Sequence, residues 1–131
     1  MLRNGVSPPL SESSKATHNR CSGVQPRLVN MSTFESLGLS QPITEAVIAI
    51  GFETPTAIQE QAIPRLLAGE EDFVGLAQTG TGKTAAFGLP LLHRTDVALP
   101  SVQSLILAPT REFCLQICRA LESFATHQPK L

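Results

Sequence analysis

The seven residues Gln78-Thr79-Gly80-Thr81-Gly82-Lys83-Thr84 combine two glycines, an ammonium and a hydroxyl in the order a phosphate-binding loop uses. Gly80 and Gly82 accept backbone angles closed to other residues and offer no side chain to block an anion. Successive N–H groups of such a turn point inward as an anion nest, reinforced by the positive end of a following helix. Lys83 is placed to reach the β- and γ-phosphates of a nucleoside triphosphate. The Thr84 hydroxyl is placed to ligate Mg²⁺, which takes oxygen donors. ATP and Mg²⁺ are therefore the expected cofactors, with Gln78, Thr79, Gly80, Thr81 and Gly82 lining the cradle. The loop opens with Ala77, where the general pattern has glycine. A chance glycine-rich turn is the bland alternative.

A second block lies upstream. Gln59 carries an amide donor and an acceptor, which together match adenine N6 and N7. Phe34 or Phe52 can cover an adenine face. The other reading of the same residues is local: Thr56-Ala57-Ile58-Gln59 has capping-box spacing, and both phenylalanines suit a core. Downstream, Pro109-Thr110-Arg111 ends an apolar run and begins a helical pattern. A hydroxyl, a permanent cation and helix-terminal N–H groups suit a phosphate. An ordinary helix start with a solvated arginine explains the same three residues.

These blocks need elements to hold them. Ser40 and Pro42 mark a helix entry. Ile43, Ala46, Val47 and Ile50 then form one apolar stripe, and Gly51 stops it. Thr56 opens a second helix that Pro64 should kink or restart and Gly69 should end. Residues 72–77 form a short apolar strand before the loop, and a helix follows over about 83–92. Leu105-Ile106-Leu107-Ala108 is a second strand. The last helix begins near Arg111, with Phe113, Ile117, Leu121 and Phe124 along one side. Strand, helix and strand make a right-handed crossover unit and a parallel sheet.

With 131 residues and 42 % hydrophobic content, the chain suits one soluble domain. No apolar run approaches the ~20 residues of a membrane span, so no membrane partner is expected. The net charge of −1 divides unevenly: residues 1–30 carry +3 and residues 31–131 carry −4. The larger part binds RNA, if at all, through a local groove rather than its overall field. Residues 1–30 hold five serines and three prolines and read as a disordered basic leader. An organelle transit peptide and a translation start at Met31 are the alternatives. Cys21, Cys114 and Cys118 are too few for a disulfide framework; Cys114 and Cys118, four apart on a helix, share a face but make no zinc site and read as packing residues. The three histidines show no metal or triad pattern.

In combination, these blocks resemble the amino-terminal part of DEAD-box RNA helicases. Phe34, followed seventeen residues later by Gly51-Phe52-Glu53-Thr54-Pro55-Thr56-Ala57-Ile58-Gln59, resembles the family's adenine-reading Q motif with its upstream aromatic. Ala77 through Thr84 resembles motif I, where a leading alanine is the usual form. Pro109-Thr110-Arg111-Glu112 resembles motif Ia, which contacts RNA. The resemblance spans residues 32 to about 125. It adds Thr54 to the nucleotide-binding set and implies an α/β fold, the three-layer P-loop NTPase (RecA-like) parallel sheet. Here that sheet is expected to be incomplete because the chain stops short, with 31–131 a partial first domain. Phe113-Cys114 stand where the family has Leu-Ala, and the turn Gly69-Glu70-Glu71-Asp72 is one residue longer than usual. The Asp-Glu-Ala-Asp sequence that names the family does not occur here.

The resemblance implies a cytoplasmic, RNA-dependent ATPase that unwinds short duplexes, with Lys83 and Thr84 in the catalytic machinery. For these 131 residues alone it implies negligible hydrolysis and an aggregation-prone fold. A non-catalytic module that binds adenine nucleotide is the second expectation. A different P-loop ATPase fits the low basic content but not the Gln59 block.

Overall fold

The structure, a computed structural model, describes residues 32–69 and 72–128. The leader reading for 1–30 and the lengthened turn at Glu70 and Glu71 lie outside the described residues. A single 3₁₀ turn, Phe34–Leu37, precedes four α-helices: α1 Gln41–Ala49, α2 Ala57–Ala68, α3 Lys83–Arg94 and α4 Arg111–Phe124.

Local signals account for the helix limits. Pro42 sits in the first turn of α1, where its missing N–H costs nothing. Ile43, Ala46 and Val47 are fully buried, but Ile50, the expected fourth member of the stripe, caps the helix and is 42 % exposed. Gly69 closes α2 with a left-handed backbone (φ 67°), which a residue with a Cβ adopts only under strain. Thr110 caps α4 by accepting the Phe113 N–H at 3.2 Å. The proline expectation needs correction: α2 runs unbroken through Pro64, and α3 runs through Pro90 to Arg94. Each ring removes one ladder bond. Packing between the two helices holds both on course.

The core lies where these helices meet. Ile43 and Val47 of α1, Ile63 of α2, Ala85, Leu89 and Leu92 of α3 and Phe124 of α4 close around Phe34 and Leu37. The 3₁₀ turn earns its place through those two side chains. Ser36 ties it down, its hydroxyl donating to the Thr33 carbonyl at 2.7 Å and accepting the Thr33 N–H at 3.2 Å. Of the stripe expected on α4, Ile117 and Phe124 are buried and Leu121 packs against the core, while Phe113 stays 43 % exposed.

The sheet is the principal difference from the sequence reading. Residues 72–78 and 102–108 carry no strand assignment, and no strand occurs among the described residues. Their apolar side chains still alternate. Val74 and Leu76 are 83 % and 92 % exposed, whereas Phe73 and Ala77 on either side of them are partly covered. Leu105 and Leu107 are exposed, with Ile106 and Ala108 partly covered. The helices thus shelter one face of each segment. A strand, however, is defined by ladder bonds to a neighbour, and these two segments do not pair with each other.

Candidate functional site

The phosphate loop is built around two left-handed glycines. Gly80 (φ 79°) has open space where a Cβ would stand, so backbone angle alone requires glycine there. Gly82 (φ 84°) is constrained twice. It is the N-cap of α3, and a Cβ on it would lie 2.3 Å from Nε2 of Gln59. The turn between them is fixed by Thr81, whose hydroxyl donates to the Gln78 carbonyl at 2.8 Å. Lys83 closes the ring: its ammonium donates to the Ala77 carbonyl and, at 2.6 Å, to the Gln78 carbonyl. Thr84 follows in the first turn of α3, partly buried. Loop, cation and hydroxyl therefore gather at the positive end of one helix dipole, the arrangement that favours a polyphosphate.

The upstream block joins the loop directly. Gln59, only 3 % exposed, accepts the Thr56 N–H through Oε1 at 2.9 Å and donates through Nε2 to the Gly82 carbonyl at 3.2 Å. The Thr56 hydroxyl donates to the Thr81 carbonyl at 2.9 Å. The start of α2 is thus pinned to the loop at two consecutive residues. The local capping reading of Gln59 is realised here. It uses half of the amide's capacity: a primary amide has two N–H bonds and its oxygen two lone pairs, so one donor and one acceptor remain. Thr56 braces the loop in a way that sequence reasoning did not foresee. Its type and position mark a helix cap, and its use as a strut to residue 81 depends on a contact 25 positions away.

The aromatics divide. Phe34 is 2 % exposed and belongs to the core; Phe52 stacks on it (centroids 6.3 Å apart, planes 21°) and leans on Phe124 at 6.1 Å, keeping 37 % of its own surface open. Of these two rings, Phe52 alone keeps an open surface. Thr54 is exposed in the bend before α2. A cavity of about 700 Å³ borders the loop, with Thr79, Lys83 and Thr84 on one wall and Ile58, Phe73 and Phe113 among its apolar lining. Phe113 brings the first turn of α4 to the same cavity. Pro109 and Arg111 at the start of that helix are exposed. No group of three or more His, Cys, Asp or Glu side chains suited to a metal occurs among the described residues. No described helix is long and apolar enough to cross a membrane.

Known proteins resemble this chain over most of its length. The family model described as DEAD/DEAH box helicase matches residues 56–131. The ATP-dependent RNA helicase DeaD of Klebsiella pneumoniae is 51 % identical over 96 residues, which is 73 % of this chain and 15 % of that protein. The DEAD-box ATP-dependent RNA helicase CshA of Bacillus cereus is 49 % identical over 98 residues, 75 % of this chain and 18 % of that protein. The chain therefore spans less than a fifth of the length of these curated relatives. Among solved structures, a DEAD box protein from the hyperthermophile Methanococcus jannaschii superposes with a TM-score of 0.68 at 40 % identity, covering 70 % of this chain and 25 % of that one. Saccharomyces cerevisiae Dbp5 bound to RNA and ADP BeF3 superposes with a TM-score of 0.71 at 35 % identity, covering 73 % and 25 %.

Proposed function

The chain belongs to the DEAD/DEAH box helicase family, and from that premise we propose that it is the nucleotide-binding, RNA-contacting portion of an ATP-dependent RNA helicase. The observation that carries this reading is the bridge from Gln59 to Gly82 across a glycine loop already closed by Lys83. Residues that could serve separate local roles are instead assembled on one cradle. The backbone N–H groups of Thr79 to Lys83 hold the phosphates. The Lys83 ammonium exchanges its carbonyl partners for phosphate oxygens. Phe52 covers the base, Thr54 lies beside it, and the spare donor and acceptor of Gln59 read adenine. Phe34 supports this from below through its stack with Phe52.

Mg²⁺ fits the donors present only in part. Thr84 offers one hydroxyl oxygen, so the remaining ligands are nucleotide phosphates and water, the usual habit of this ion. When bound, it supplies charge neutralisation on the β- and γ-phosphates. Pro109, Thr110 and Arg111 take the RNA backbone. The two apolar segments around Val74 and Leu105 are strands of a RecA-like parallel sheet in the full arrangement, and the protein works in the cytoplasm. The 131 residues on their own bind without turnover. Phosphoryl transfer relies on positioning and charge stabilisation worth orders of magnitude in rate, and the Asp-Glu-Ala-Asp sequence is absent from them.

Titration calorimetry with Mg-ATP tests this. Wild-type chain takes up nucleotide; Lys83→Met loses at least ~10-fold in affinity, because removing a cation from a phosphate contact costs more than ~1.4 kcal/mol. Equal uptake by the two proteins overturns the proposal.

A further inference from the structure

Cys114 and Cys118 lie four residues apart on α4, and both are exposed, which overturns their reading as packing residues. The helix buries Ile117 and Phe124 and packs Ala120 and Leu121 against the core. The two thiols fall on the open flank and are spent on no packing contact with that core. Four residues of α-helix advance about 6 Å, and Cβ atoms at this spacing stand about 5–6 Å apart. A disulfide requires Cβ atoms about 3.5–4.5 Å apart, so direct closure would have to unwind a turn of α4. A soft centre inserted between the sulfurs replaces one S–S bond of about 2.05 Å with two bonds of about 2.3 Å. That longer span suits an intact helix.

We propose that Cys114 and Cys118 form a dithiol chelate on the flank of α4 that captures a trivalent arsenic centre in preference to closing as a disulfide. The site is independent of the nucleotide reading. Its ligand count selects the class of guest. Structural zinc takes four protein ligands, and no group of three or more candidate ligands exists among the described residues. Glu122, one turn further along the same stripe, therefore does not complete a zinc site. A mono-organoarsenical already carries one bond to carbon and needs two sulfurs. The reaction balances without an oxidant. Phenylarsine oxide and two thiols give one dithioarsenite and one water; two S–H bonds and the arsenic–oxygen bond break, two As–S bonds form, and arsenic stays trivalent. The Cys118 thiol is pushed up from its ordinary value, first by desolvation and then by Cys114 and Glu122 beside it. Cys118 accordingly enters the reaction as a thiol, and the hydrogens of the two broken S–H bonds leave in the water.

The test uses the whole 131-residue chain treated with phenylarsine oxide and then dialysed. Intact-mass analysis is expected to show one phenylarsenic group per chain, removable by ethanedithiol. C114S and C118S each retain at least ~10²-fold less, since the second thiol acts at high effective concentration. C21S retains as much as wild type. Circular dichroism checks that the serine variants keep their helices. Independently, wild-type chain incubated with oxidised glutathione is digested with trypsin. The peptide 112–119 holds both cysteines, and it should carry glutathione adducts rather than lose two hydrogens. Arsenic retention that survives in a C114S/C118S double variant, or ready closure of the 114–118 disulfide, overturns the proposal.

Discussion

Replacing Gln59 by methionine separates the hydrogen bonds of this side chain from its bulk. Methionine fills nearly the same volume but neither accepts the Thr56 N–H nor donates to the Gly82 carbonyl. Each bond contributes about 0.5–1.5 kcal/mol net, so Gln59→Met should lower stability by about 1–3 kcal/mol. Gln59→Ala also leaves a void at a site only 3 % exposed and should cost about 2–4 kcal/mol. The chain has neither Trp nor Tyr, so urea unfolding is followed by far-ultraviolet circular dichroism, with the midpoint shifting at constant slope. Nucleotide binding then separates two roles. If the amide only braces the loop, affinities for ATP and GTP fall by one common factor. If its spare donor and acceptor read adenine, the ATP/GTP ratio falls as well, by about 5- to 150-fold for a bidentate contact of about 1–3 kcal/mol. An unchanged urea midpoint in Gln59→Met would refute the bracing; an unchanged ratio would refute adenine reading.

Gly88→Ala should lower the melting temperature despite the roughly 1 kcal/mol that alanine gains in a helix, because its Cβ would stand 2.6 Å from Cδ2 of Leu121; a higher melting temperature disproves the tight α3–α4 contact. Leu76→Lys and Leu105→Lys, at side chains 92 % and 79 % exposed, should reduce self-association in light scattering while leaving the helical spectrum intact. Undiminished scattering would show that these faces are not the adhesive ones. Arg111→Gln should weaken RNA binding uniformly across sequences and reduce the salt slope by about 0.7 for single strands. A sequence-dependent loss would contradict backbone contact.

Much of this was legible in the residues because it is local. Gly69 and Gly82 declare left-handed positions, Thr110 declares a cap, and the Ile43–Val47 stripe declares a buried face. The phosphate loop falls in this class, since seven adjacent residues supply its cradle. What the sequence hides is non-local. Nothing near Thr56 announces that its hydroxyl turns to residue 81, and nothing near Gln59 announces Gly82. The 3₁₀ turn at Phe34–Leu37 has too few residues to show a period. The apolar character of 72–77 and 105–108 was readable, but the ladder that makes a strand belongs to its neighbour, and an apolar run says nothing about who that neighbour is.

Pro64 and Pro90 each occupy the eighth position of a twelve-residue helix. Each interrupts its own hydrogen-bond ladder just before the final turn. Beyond those breaks, Arg94 at the end of α3 donates to the Leu66 carbonyl in α2 at 3.3 Å, its guanidinium lying against Gly69, where a Cβ would come within 2.3 Å. The two terminal turns are thereby sewn to one another across the helix boundary. The two helices are thus tied together at both ends, by Gln59 and Thr56 beside the glycine loop and by Arg94 at the far turn.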